Sequence, residues 1–174
     1  VDLLRPLHLF FSIRFRQREL TTLDEQQMQQ VRGAQISMIF QEPSSALNPV
    51  FTVGTQLVSA IRAHRPMRAS EARRRAEELL REVGLPDPAS RLDFYPHQLS
   101  GGQCQRVMIA MALSGGASLV IADEPTTALD VTIQVQIVHL LERLVRENGL
   151  SLLFISHDLG LITSICHRVA VVYA

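Results

Sequence analysis

Leu119-Val120-Ile121-Ala122 is an unbroken apolar run followed at once by two carboxylates, Asp123 and Glu124. Four such residues leave no polar face for water, so the run predicts a strand buried on both faces of a parallel sheet, with the carboxylates at its carboxyl end. Helical periodicity flanks it. A helix is expected from near Ser100 to about Leu113, and a second from about Thr132 to Glu147 that buries Ile133, Ile137, Leu140, Leu141 and Leu144, with Asp130 or Val131 near its start and Gly149 past its end. Residues 151–155 and 169–173 read as two further buried strands. Strands alternating with helices are the pattern of an α/β fold, whose sites gather where strands end.

Upstream, residues 12–15 and 35–40 read as strands, separated by a helix that the Thr22 and Glu25 capping box opens and Gly33 follows. Pro43 and Pro49 then remove two backbone donors and Asn48 favours a turn, so an ordered but irregular loop is expected over 41–53. A helical block comes next. Ser70 can cap a helix with Ala72, Ala76, Leu79, Leu80 and Val83 on one face, stopped by Gly84, Pro86 and Pro88.

Composition narrows the chemistry. The chain has 174 residues, 47% of them hydrophobic, enough for one modest domain with a real core. Its 17 basic side chains are all arginine, which excludes Schiff-base chemistry and the lysine of a phosphate-binding loop. They balance 17 acidic residues, so no basic field draws nucleic acid, and Arg73-Arg74-Arg75 reads as a solvated helix face. Cys104 and Cys166 lie far apart with no CxxC or CxxH neighbour, which suggests neither metal site nor disulfide and fits a reducing, cytoplasmic setting. No apolar run approaches the ~20 residues that span a bilayer. The first residue is Val1, and residues 1–11 lack the features of a signal peptide, so the chain reads as cut rather than exported.

Four constellations carry chemistry. At the end of the 119–122 run, Asp123 can hold Mg²⁺ while Glu124 polarises an attacking water, because successive side chains at a strand end point in different directions. Leu99-Ser100-Gly101-Gly102-Gln103 opens a helix with capping-box spacing, and its two glycines leave the first-turn amides uncovered for an anion. Ser156-His157-Asp158 follows the strand over 151–155, placing an imidazole where it could donate to a phosphate oxygen. Gln41 ends the strand over 35–40, and its amide oxygen could reach a metal or water. His8, His64, His97, His139 and His167 have no such setting and read as surface or packing residues.

In this order, these residues resemble the nucleotide-binding subunit of ABC transporters. Gln41 looks like the Q-loop, LSGGQ at 99–103 the signature, LVIADEP at 119–125 the Walker B strand, Ala128-Leu129-Asp130 the D-loop and His157 the switch histidine. The stretches MIFQEPSSALNPVFTVGTQL at 38–57 and SHDLGLI at 156–162 look most like the dipeptide, oligopeptide and nickel importer branch. The resemblance covers about residues 12–174; residues 1–11 match nothing recognisable.

It implies an α/β, P-loop NTPase-type ATPase core with an inserted helical subdomain, incomplete at both ends. Its division would be 1–40 for the first part of the core, 41–113 for the Q-loop and helical subdomain ending in the signature helix, and 114–174 for the rest. It implies ATP and Mg²⁺, with Glu124 and His157 catalytic, Asp123 and Gln41 attending the metal, and Gln41, Ser100, Gly101, Gly102, Gln103 and Asp130 binding nucleotide. The implied partners are permease transmembrane subunits and a second ATPase subunit, identical or not, with no nucleic acid, at the cytoplasmic face of the inner membrane.

Departures from the family pattern matter. No GxxxxGK[ST] loop or upstream adenine-stacking aromatic precedes the first strand, Cys104 stands where arginine is usual, and Gly115-Gly116 replaces a proline-bearing connection. The chain then reads as an internal piece or the product of a truncated gene. A chromosome-maintenance or DNA-repair ATPase would place a long coiled coil between Q-loop and signature, where only about 58 residues intervene here, and a translation-associated relative would carry two cassettes and a charged linker. A non-catalytic remnant that only binds a permease or sister ATPase is the remaining alternative.

Overall fold

The computed structural model describes residues 12–172. Its core is a parallel sheet of three strands, β3 (Ile36–Ile39), β4 (Leu119–Asp123) and β5 (Ser151–Ile155), in the order β3-β4-β5. The registers run Ile36 to Leu119 and Leu119 to Ser151, so the three carboxyl ends lie side by side. The 119–122 run takes the central strand. Val120 and Ala122 are buried against the helices, but Leu119 and Ile121 on the opposite face are only half-buried and β5 alternates between exposed and half-buried, so these strands are not buried on both faces as expected.

Helices α3 (Val53–His64), α4 (Ala69–Glu82) and α6 (Gly101–Ser114) pack on one another between β3 and β4, while α7 (Val131–Asn148) crosses from β4 to β5. Each presents an apolar stripe. Leu57 and Ile61 of α3, Leu79 and Leu80 of α4 and Ile109 of α6 lose all exposure, and Ile137, Leu141 and Leu144 of α7 join the same cluster with Ile39 and Val120 of the sheet. Short helices α1 (Glu25–Gln29), α2 (Pro43–Ala46), α5 (Pro88–Arg91) and α8 (Leu159–Ile165) complete the set. No described helix is long and apolar enough to cross a membrane.

Several local expectations hold. Ser100 caps α6 through Gln103, Asp130 caps α7, and Gly149 follows α7 in the left-handed conformation. Arg73 and Arg75 form exposed ion pairs with Asp93 and Glu78, the solvated face expected of the arginine cluster. His64 is a packing residue: it lies against Gly33 and Gly115, and a Cβ on Gly115 would overlap the Gly33 carbonyl oxygen. The Gly115-Gly116 connection thus serves a close backbone approach between the end of α6 and the turn before β3.

Others need correction. α1 is opened by Asp24 with Gln27, whose reciprocal bonds measure 2.7 and 3.2 Å, because the Thr22 hydroxyl is turned to the Glu19 carbonyl instead. α4 begins before Ser70, which lies inside its first turn, and Glu71 accepts from the Arg68 amide at 3.1 Å. The 41–53 loop contains the single turn α2, opened by Pro43 at a position where its missing N–H costs nothing. The early strand shortens to β1 (Arg14–Phe15), paired antiparallel with β2 (Arg18–Glu19) in a separate hairpin; Arg16 and Gln17 take positive φ at its two-residue turn, as a hairpin of that length demands. Residues 169–172 are not a strand. Strands exist by pairing, and Val169, Val171 and Val172 find no ladder among the described residues. Tyr173 of that expected strand, like the unplaced segment 1–11 and His8 in it, lies outside the described residues.

Candidate active site

Parallel strands in register bring together side chains distant in sequence. Gln41 follows β3, Glu124 follows β4 and His157 follows β5, and all three meet at one carboxylate. Glu124 Oε2 accepts from Gln41 Nε2 at 3.2 Å and from Thr127 Oγ1 at 2.9 Å, while its Oε1 lies 2.9 Å from His157 Nδ1. The backbone aims it: Glu124 has φ +44°, a left-handed conformation that costs a side-chain-bearing residue about 1–2 kcal/mol. Two bonds hold that turn, Glu124 N–H to the Ile155 carbonyl at 3.0 Å and Thr127 N–H to the Glu124 carbonyl at 3.3 Å.

The electrostatics follow from these contacts. The His157 hydrogen bond, then that of Thr127, holds the Glu124 carboxyl below the usual carboxylate range. Reciprocally, the bond to Glu124 and its charge hold His157 above the ordinary imidazole value. The imidazole remains open, 71% exposed against 26% for the carboxylate, so it can leave Glu124 for another acceptor. Asp123 closes β4 opposite Ile155, half-buried, and its carboxylate takes no hydrogen bond among the described residues. Directly after His157, Asp158 caps α8 through the amides of Gly160 and Leu161 at 2.8 and 3.2 Å.

The remaining expected residues form a second group. Ser100 N–H donates to Gln103 Oε1 at 3.1 Å, and Gln103 N–H donates to Ser100 Oγ at 3.3 Å. This fixes the first turn of α6 and leaves the Ser100 hydroxyl proton free to donate elsewhere. Gly101 is exposed, whereas Gly102 faces α7 so closely that a Cβ there would come within 2.8 Å of Ile133 Cγ2. Asp130 Oδ1 accepts from Ile133 N–H at 3.0 Å, and Gln134 anchors the preceding turn through the Thr126 carbonyl at 2.9 Å. No hydrogen bond among the described residues joins this group to Glu124, Gln41 or His157.

Thr127 is the residue of this cluster that the sequence reading missed. Its signal was present as a hydroxyl three residues after Glu124, but such a spacing acquires meaning only once Glu124 is known to turn left-handed. Cys104 is buried under the Pro96 carbonyl at 3.5 Å, where burial raises its thiol pKa, and Cys166 is likewise a free thiol. No group of three or more His, Cys, Asp or Glu that could hold a metal ion by itself occurs among the described residues.

Known proteins resemble this chain in sequence and in fold. The chain is 51% identical over 163 residues to the dipeptide transport ATP-binding protein DppD of Escherichia coli K12, covering 94% of this chain and 50% of that protein. It is 50% identical over 162 residues to DppD of Bacillus subtilis, covering 93% and 48%. The chain therefore spans about half the length of the curated relatives it matches. Among solved structures, the ATP-binding cassette MJ0796, in a dimeric post-hydrolysis state bound to ADP and Pi, superposes with a TM-score of 0.72 at 32% identity, over 84% of this chain and 62% of that one. CbiO1 of Clostridium perfringens, part of the cbiONQ transporter complex, gives 0.75 at 25% identity, over 88% and 58%. The family pattern of ABC transporters matches residues 12–127, and with the DppD relationship it establishes that the chain belongs to the ABC transporter family.

Proposed function

We propose that this chain is part of the ATP-hydrolysing subunit of an importer, with peptides as its cargo class and nickel as the alternative. The observation that carries the reading is the single carboxylate, Glu124, held at the strand ends between Gln41, Thr127 and His157. The names of the DppD relatives support the peptide assignment.

In this reading, a water attacks the γ-phosphorus of ATP, the bond to the β–γ bridging oxygen breaks, and Glu124 orients that water and accepts its proton. Paired with His157, Glu124 is a weak base. Transfer of the imidazole from Glu124 to a γ-phosphate oxygen serves two ends at once: it frees Oε1 for the water and supplies a donor to the charge that builds on the phosphate. Mg²⁺ suits the oxygen donors present. Asp123 offers an unpaired carboxylate, and Gln41, whose Nε2 is engaged with Glu124, retains its amide oxygen. Two protein ligands completed by phosphate and water are usual for this ion, which when bound neutralises phosphate charge. Ser100, Gly101, Gly102 and Gln103 would meet the nucleotide held by a second subunit, with Asp130 beside that interface; their separation from the Glu124 group supports such a division.

The same reading divides the chain at 1–40, 41–113 and 114–174. The loop after Gln41 and the helices beyond it would receive a permease on the cytoplasmic face of the inner membrane, closure passing to it as a rigid-body rotation. A full-length cassette containing this sequence should hydrolyse ATP, and Glu124→Gln should reduce turnover by about 10²–10⁴-fold while ATP still binds. The 174-residue chain alone, which contains no lysine to hold the β- and γ-phosphates, should show no phosphate release above its own Glu124→Gln control. A full-length variant that keeps turnover within a few-fold of the parent would remove Glu124 from the chemistry.

A further inference from the structure

Gln105 lies on α6 with no solvent exposure at all, and neither its Nε2 nor its Oε1 has a hydrogen-bond partner among the described residues. An amide buried with both ends unpaired is costly, because each polar atom gives up a bond to water and gains none. Such a group calls for a reason other than stability.

Its placement supplies one. Helical side chains lean toward the helix N-terminus and cover the residues three and four positions earlier. For Gln105 these are Gly102 and Gly101, which have no side chains. The bare face they leave is covered by apolar groups: a Cβ on Gly101 would lie 3.6 Å from Leu129 Cδ2, and one on Gly102 2.8 Å from Ile133 Cγ2. One turn further along α6, Ile109 already belongs to the cluster of Ile39 and Val120 under the sheet. Gln105 is thus set between the Ser100-Gly101-Gly102 turn, the segment leading from Glu124 to Asp130, and the core. Neither the glycines nor Leu129 and Ile133 offer a side chain that could pair with an amide, whereas in the turn over 127–129, where the Thr127 and Leu129 N–H groups donate to Glu124 and Thr126, the Ala128 N–H and the backbone carbonyls take no backbone bond among the described residues.

We propose that Gln105 is a positioning residue whose amide pairs with the backbone of the 127–129 turn when that turn shifts along the glycine face of α6 that it already covers, tying the signature turn to the segment that bears Glu124. The inference rests on the ATPase reading above. The paired arrangement is the one turnover uses, and the arrangement seen here, with the amide unpaired, precedes it.

Gln105→Leu and Gln105→Met keep the volume and remove both polar atoms. In a full-length cassette containing this sequence, free of nucleotide, each variant should raise the thermal midpoint by about 2–6 °C, since it removes an unpaired buried amide. The same variants should lower kcat for ATP about tenfold and leave KM within about twofold, because Gln105 acts on a late arrangement of the site. A residue that only holds the fold together would lower midpoint and kcat in step. A fall of the midpoint in both variants would show the amide already paired at rest and overturn the proposal, as would a raised midpoint with unchanged kcat. If one variant fails to fold, the other decides. A cassette that hydrolyses no ATP before substitution overturns the ATPase reading and this inference together, whereas turnover that both variants leave intact overturns this inference alone.

Discussion

The packed helices α3, α4 and α6 are drawn from less apolar sequence than the three-stranded sheet, yet they close more completely. Leu57, Ile61, Leu79, Leu80 and Ile109 have no exposure, whereas Phe40 and Leu153 of the sheet region are 50% and 51% exposed. A helix has one stripe to bury, and three helices can bury each other's. A strand of a parallel sheet has two faces. Here Ile39, Val120 and Ala122 turn to the face covered by α6 and α7, while Met38, Phe40, Leu153 and Ile155 alternate onto the other, which no described element covers. An unbroken apolar strand reports that two faces want cover, not how many are covered. The candidate site belongs to the less closed unit, where three strand ends stop together.

The largest expected effect tests this contrast directly. Leu79→Ala, which empties a fully buried position in the helical layer, should cost about 2–5 kcal/mol in urea denaturation. Leu153→Thr, at a half-exposed position of the sheet, should cost less than about 1 kcal/mol and improve solubility. Equal losses would erase the distinction between the two units. A smaller effect is expected where they meet: Gly115→Ala forces a Cβ onto the Gly33 carbonyl oxygen, and a loss of about 1–3 kcal/mol should appear as a lowered thermal midpoint. An unchanged midpoint would mean that the end of α6 yields easily to the turn before β3, and that the seam between helices and sheet is soft.

The smallest effect lies at the strand ends. Glu124 is held below the carboxylate range, so its share of the pair's stability is present above the usual carboxylate pKa and fades as pH falls through the lowered one. His157 is held above its ordinary value, so its share is present below the usual imidazole pKa and fades as pH rises through the raised one. The pair is therefore strongest from mildly acidic pH toward neutrality, and weak in absolute terms because the imidazole is open to water. An NMR titration should find His157 above the ordinary histidine value and show it falling back in Glu124→Gln. If the two proteins titrate alike, the contact between the ends of β4 and β5 is not maintained in solution.

Much of this was legible in the residues. The central strand, the capped starts of α6 and α7, and the placement of Gln41, Glu124 and His157 follow from local pattern and from the rule that parallel strands deliver sites at their carboxyl ends. Local pattern failed where two choices were both sound. Thr22 with Glu25 and Asp24 with Gln27 each offer a capping box, and the choice between them fell to Asp24 as the β1–β2 hairpin drew the threonine hydroxyls to Glu19. The apolar stretch over 169–172 has strand character, yet no strand forms there without a neighbour to pair with.

By itself, then, the sequence determined which residues could be strands, which helices would be capped and where reactive side chains would stand, because these depend on interactions a few residues long. Only the tertiary structure decided that Glu124 turns left-handed against Ile155, that Thr127 and Gln41 share one of its oxygens while His157 takes the other, and that Gln105 is buried unpaired beneath two glycines. Those are contacts between segments brought together by packing, and no local preference encodes which polar group a distant neighbour will present or withhold.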